Sequence, residues 1–135
     1  MDIKIIPVGY LETNCYILEN DAEALIIDPG DEPLKIDREL NKKLIGIIIT
    51  HYHEDHIGGL SYFKNKYDVS VYDYNNLEEG ANRLGSFLFD VIYNPGHTTD
   101  SISIYFKEEN KFIFSLLQIV HNTMKTSATS LSIVS

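Results

Sequence analysis

Positive charge is scarce in this chain: 11 Lys and Arg stand against 20 Asp and Glu, a formal net charge of -9 with a pI near 4.8. Nucleic-acid binding needs clustered cations to displace the counterions of the phosphate backbone, so this balance argues against a nucleic-acid partner. Cysteine is nearly absent, and the lone Cys15 allows no internal disulfide and fits a reducing compartment. Long apolar runs are missing as well. Met1 is followed by Asp2 and Lys4, with no stretch of signal-peptide or membrane-span length, so the sequence predicts a soluble cytoplasmic protein with no membrane partner. At 135 residues the chain has the size of one compact domain, with room for two packed layers. No internal repeat is present.

What is there alternates short apolar runs with turn signals. IKIIPV (3–8), NCYILEN (14–20) and EALIIDPG (23–30) are β-branched and aliphatic segments broken by Gly, Asn and Asp, and predict three adjacent strands. Asn20 and Asp21 suit the turn between the second and third. From Pro33, LKIDRELNKKL spaces Leu34, Ile36, Leu40 and Leu44 among charges, an amphipathic-helix pattern. LIGIIIT (44–50) is a continuous apolar run of the kind that buried parallel strands use. IGGLSYFKNKY (57–67) predicts a helix burying Leu60, Phe63 and Tyr67, and VSVYDY (69–74) a further strand. Residues 75–86 are ambiguous, a helix from Leu77 to Leu84 being one reading. FLFDVIY (87–93), SISIYF (101–106) and KFIFS (111–115) predict three more strands. Helices and strands alternate early and strands dominate later, the pattern of a mixed α/β layered domain.

Three of the chain's five histidines crowd into THYHEDHIGG (50–59). In extended backbone successive side chains point to opposite faces, so His51, His53 and Asp55 share a face at the end of the LIGIIIT strand, while His56 diverges from Asp55. That divergence suits two neighbouring metal positions, one served by His51 and His53, the other by Asp55 and His56. Imidazole and carboxylate suit zinc, iron or manganese, whereas calcium would want oxygen ligands only. Gly58 and Gly59 remove bulk where the backbone turns into the next helix. A polar surface loop is the bland alternative, but it gives no reason for this spacing. NPGHTTDS (94–101) offers His97 in a Pro-Gly turn. Alone it would be a surface histidine; with His51 and His53 it completes a three-imidazole site with an open fourth position. Such a site lowers the pKa of zinc-bound water to about 7.

These residues resemble the metallo-β-lactamase-fold hydrolases, and among them the glyoxalase II-like branch. THYHEDHIGG matches the H-x-H-x-D-H signature, and NCYIL (14–18), IIDPG (26–30) and PGHT (95–98) follow the family's order. The resemblance spans residues 1–115. It implies an α/β fold, the metallo-β-lactamase-like αββα sandwich, of which this chain holds largely the N-terminal half, a mixed sheet with flanking helices. It also implies His51, His53 and His97 as ligands of a first metal, and Asp55 and His56 as ligands of a second. Asp55 would also handle the proton during hydrolysis, and Asp28 would brace the site. Cys15 and Gly30 read as structural. Thr99 and Asp100 stand where many relatives have Pro and Gly.

The departure from the family comes after KFIFS. Relatives continue with a Gly-Asp step whose aspartate bridges two metals, and here those positions are Leu116 and Leu117. No Asp or Glu occurs from 116 to 135, a stretch with seven Ser or Thr and one charge, Lys125. His121 is the remaining ligand type there, at a spacing that matches nothing in the family. The expected organisation is a metallo-β-lactamase-like domain over 1–115 and a divergent Ser/Thr-rich tail over 116–135, with the look of a frame shift or truncation. One zinc or none is expected, against two in intact relatives, with iron or manganese as alternatives. A single sheet would leave an apolar face uncovered, to be closed by the tail, a separate polypeptide or a second copy in a homo-oligomer.

Three functions follow. The first is a metal-dependent hydrolase of a small-molecule thioester or similar acyl compound, with metal-bound hydroxide attacking the carbonyl and activity impaired by the lost aspartate. The second is a non-catalytic metal-binding fragment or subunit. The third is a mononuclear iron enzyme like the sulfur dioxygenases of this fold.

Overall fold

β-Branched and aliphatic residues build the first sheet. The computed structural model describes residues 1–93, 101–107, 111–115 and 131–134. In it β1 (Asp2–Val8) pairs antiparallel with β2 (Thr13–Glu19), and β2 antiparallel with β3 (Glu23–Ile27). Asn20 closes the β2–β3 turn, its Oδ1 accepting the amides of Ala22 and Glu23 at 3.1 and 2.8 Å. The chain passes through α1 (Pro33–Arg38) to β4 (Lys43–Ile48), parallel to β3. It then runs through α2 (Glu54–Ile57) and α3 (Leu60–Tyr67) to β5 (Val71–Tyr72), parallel to β4. The sheet order is β1-β2-β3-β4-β5.

The rest of the chain forms a second, wholly antiparallel sheet. β6 (Gly80–Leu84), β7 (Phe87–Tyr93), β8 (Ile102–Phe106), β9 (Lys111–Ser115) and β10 (Leu131–Val134) lie in the order β10-β9-β8-β7-β6. Between the sheets, Tyr16, Leu18, Leu25, Ile27 and Ile48 meet Phe87, Phe89, Val91, Ile102, Ile104, Phe106 and Ile113. On its other face the first sheet packs Cys15, Ile17, Ile26, Ile47 and Ile49 against Ile36 of α1 and Phe63 of α3. Successive residues of β2 thus enter opposite cores, which is why NCYIL is apolar with so little alternation.

Three expectations need correction. The chain supplies two sheets rather than one, so the first sheet's inner face is covered by the second; on the outer face of the second sheet, Leu88 and Ile92 of β7 are exposed and alternate with buried Phe87, Phe89 and Val91. The helix begun at Pro33 stops at Arg38 instead of reaching Leu44. Strand pairing wins there: the Lys43 amide donates to Ala22 O at 3.3 Å, Leu44 joins β4, and Leu34 is left exposed. Residues 77–84 form no helix. Asn76 and Leu77 amides turn back onto Asp73 O, Asn82 Nδ2 donates to Glu78 O and Gly80 O, and strand β6 follows. Gly85 carries the β6–β7 turn at a φ of +57°, a conformation that favours glycine. Ser86 beside it donates from N and Oγ to Glu23 Oε1 at 3.0 and 2.7 Å, pinning this turn to the β2–β3 turn of the other sheet.

Among the described residues no helix is long and apolar enough to cross a membrane. Phe63 is fully buried at the centre of the helix-side core. Phe63→Ala should lower unfolding stability by about 3–5 kcal/mol, read from the urea midpoint; a loss below about 1 kcal/mol would show that α3 does not hold this core.

Candidate metal centre

The candidate site forms where β3 and β4 end side by side. Asp28 follows β3 directly, at a φ of +56°, and its carboxylate is fully buried. Oδ1 accepts the Thr50 amide at 2.8 Å; Oδ2 accepts the Thr50 hydroxyl at 2.6 Å and His56 Nδ1 at 2.7 Å. One carboxylate therefore fixes the residue that precedes His51 and the histidine that ends the motif. Because Nδ1 faces an acceptor, it carries the proton, and a neutral His56 ring presents the Nε2 lone pair inward.

The other predicted residues gather around it. The His51 ring lies 4.2 Å from that of His56 and 4.7 Å from that of His53, centroid to centroid. Asp55 Oδ2 sits 3.5 Å from His56 Nε2 and accepts the Thr13 hydroxyl at 2.8 Å. Four of the five predicted site residues, His51, His53, Asp55 and His56, are thus in one cluster. The fifth, His97, and His121 with it, lie outside the described residues.

Burial and charge set the protonation of these rings. Burial, reinforced by the neighbouring His56 and His53, pushes the His51 pKa down to about 4, leaving the ring neutral near pH 7. Burial would lower His56 too, but the Asp28 carboxylate beside it, with Asp55 adding to the effect, holds its pKa above the usual histidine value. The Cys15 thiol is buried on the helix side of β2, and burial and the charge of Asp28 raise its pKa, so it stays an unreactive thiol.

The donor set fits a metal ion. Asp28, His51 and His56 bring one ligand-type atom each within 4.8 Å of one another. Asp28 already accepts three hydrogen bonds and is better employed as the brace. His56 Nε2 is buried with no hydrogen-bond partner among the described residues. Leaving a buried ring nitrogen unmatched costs about 1–3 kcal/mol, and a metal cation that takes the place of its proton removes that penalty.

Backbone contact holds the cluster against the β3–α1 loop. The Gly59 amide donates to Pro29 O at 2.7 Å. A Cβ on Gly30 would stand 2.0 Å from Asp55 O, and one on Gly58 2.2 Å from Gly30 O, so both positions exclude any side chain.

Residues 8–76 match the family profile of the metallo-β-lactamase superfamily. The chain belongs to this superfamily. Its likeness extends to a hydroxyacylglutathione hydrolase of Bdellovibrio bacteriovorus, 33% identical over 84% of this chain and 51% of that one. The hydroxyacylglutathione hydrolase GloC of Haemophilus influenzae is 29% identical over 85% of this chain and 70% of its own length. Among solved structures, the BLEG-1 B3 metallo-β-lactamase superposes with a TM-score of 0.74 at 28% identity, covering 80% of this chain and 68% of that one. The chain thus spans between about half and 70% of the curated superfamily members just described.

Sequence reasoning missed Thr13 and Thr50 as supports of the site. Thr50 borders the histidine motif and invited the question; Thr13 lies 42 residues from Asp55, and nothing local marked it. Gly30 read as a turn glycine, yet its φ is not positive and its use is close approach. Gly30→Ala should therefore force the loop off Asp55, destabilise the fold by about 1–3 kcal/mol or more in thermal melts, and reduce metal uptake; wild-type behaviour in both would refute the contact.

Proposed function

We propose that this chain is a zinc-dependent hydrolase of a small-molecule thioester or similarly activated acyl compound. The observation that carries the reading is the cluster of buried His51 and His56 with half-buried His53 and Asp55, preset by Asp28 around an unsatisfied His56 Nε2. The names of the hydroxyacylglutathione hydrolases it resembles support a thioester over other acyl compounds. In this reading His51, His53 and His97 hold one zinc ion. Asp55 and His56, with Leu116 and Leu117 at the positions where relatives carry a bridging aspartate, make a second ion weakly held.

A bound zinc ion supplies Lewis-acid chemistry, lowering the pKa of water and polarising a carbonyl. The chain's own part is orientation and proton handling. Thr13 fixes Asp55 Oδ2 by a 2.8 Å hydrogen bond, and the Asp55 side chain remains 30% exposed, within reach of solvent and substrate. Asp55 accepts the proton of the attacking water as the C–O bond forms, and returns it to the sulfur as the C–S bond breaks, giving a carboxylic acid and a thiol.

Thiol release from a thioester by zinc-loaded protein tests this. Turnover should disappear on chelation, return with zinc, and fall about 10²–10⁴-fold in Asp55→Asn. A protein that retains zinc but releases no thiol would instead be the non-catalytic metal-binding fragment, and the hydrolase reading would fall.

A further inference from the structure

A cavity of about 500 Å³ opens beside Asp55, between the β1–β2 turn and the start of α2. Its outer wall is unusual for such a position. Tyr10 is 96% exposed and Leu11 62%, two large apolar side chains held out at the turn. The turn itself is fixed. The Gly9 amide donates to Glu32 Oε2 at 2.7 Å, the Glu12 amide donates to Gly9 O at 3.0 Å, and Gly9 and Glu12 sit at φ of 76° and 53°. The rings and methyls that project from it therefore gain hydrophobic free energy only when something covers them.

Charge narrows what that something is. The cavity is lined by three carboxylates, Asp31, Glu54 and Asp55, and by no Lys, Arg or His among the described residues. A zinc ion in the neighbouring centre would offset the charge of Asp55. It would leave Asp31 and Glu54, neither of which forms an ion pair among the described residues, to set the sign of the wall.

We propose that this cavity receives the non-reacting end of the substrate and selects by charge, preferring a cationic apolar group to a neutral one and a neutral group to an anionic one. Tyr10 and Leu11 cover the apolar part, with the option of a cation over the Tyr10 ring, while Asp31 and Glu54 attract positive and repel negative charge. This rests on the hydrolase reading for the location of the reacting centre, yet runs against the anionic glutathione carrier for which the hydroxyacylglutathione hydrolases are named.

The test uses three butyryl thioesters that differ in the thiol: thiocholine (cationic), 2-mercaptoethanol (uncharged) and 3-mercaptopropionate (anionic). With the zinc-loaded full chain at low ionic strength, kcat/KM should be about tenfold or more higher for the cationic than for the anionic ester. The ratio should shrink in Asp31→Asn, in Glu54→Gln and with added salt. An equal or reversed order overturns the proposal. If none of the three is hydrolysed, the hydrolase reading fails by itself, and binding decides the cavity's preference. The matching butyl thioethers, titrated while the Tyr10 and Leu11 resonances are followed by NMR, should shift those signals at about tenfold lower concentration for the cationic analogue. Equal affinities, the reverse order, or no change at Tyr10 and Leu11 would overturn the cavity assignment.

Discussion

The fully buried carboxylate of Asp28 is the constraint on which the site depends. A carboxylate taken out of water without partners costs several kcal/mol, and here hydrogen bonds from the Thr50 amide, the Thr50 hydroxyl and His56 Nδ1 offset it. Those bonds join the end of β3, the end of β4 and α2 at one point. The backbone pays for the aim with a left-handed φ of +56°, which Asp tolerates better than most residues. The hydrogen-bonding direction settles which ring nitrogen of His56 faces the cluster. The orientation of His56 is thus set by a carboxylate that already accepts three hydrogen bonds.

The two sheets explain why this small chain can hold such a centre. The first sheet is apolar on both sides, with helices on one and the second sheet on the other, so its strand ends are stiffly placed. Gly30 and Gly58 then let the β3–α1 loop and α2 touch backbone to backbone, where any side chain would separate them. The histidines stand on the rim of that packed layer and depend on it for position.

Much of this was legible in the sequence, for identifiable reasons. The β2, β3 and β4 strands announce themselves as β-branched runs because both of their faces are buried, and the histidine motif is legible because its ligand types are rare and closely spaced. The α1 boundary was not legible, since Leu40 and Leu44 continue a helical period that strand pairing at Lys43 overrides. Nor was β6: GANRL lacks the alternation of a half-buried strand, and what makes it one is pairing with FLFDV across a glycine turn. The second sheet was underestimated because the family's familiar text stops at KFIFS, whereas Leu131–Val134 pairs with β9 in register and extends it. In the site, contacts local in sequence were visible and the distant ones, Thr13 to Asp55 above all, were not.

Asp28, braced by three hydrogen bonds, is expected to prepare this cluster for a metal rather than ligate it. The most direct measurement is metal per chain by elemental analysis, on protein purified without chelator, for the wild type and for Asp28→Asn with its fold verified by circular dichroism. About one zinc per wild-type chain and a large loss in Asp28→Asn are expected, because the amide cannot accept from Thr50 and His56 as the carboxylate does. A wild type without metal, or a folded Asp28→Asn that keeps its full complement, would contradict it.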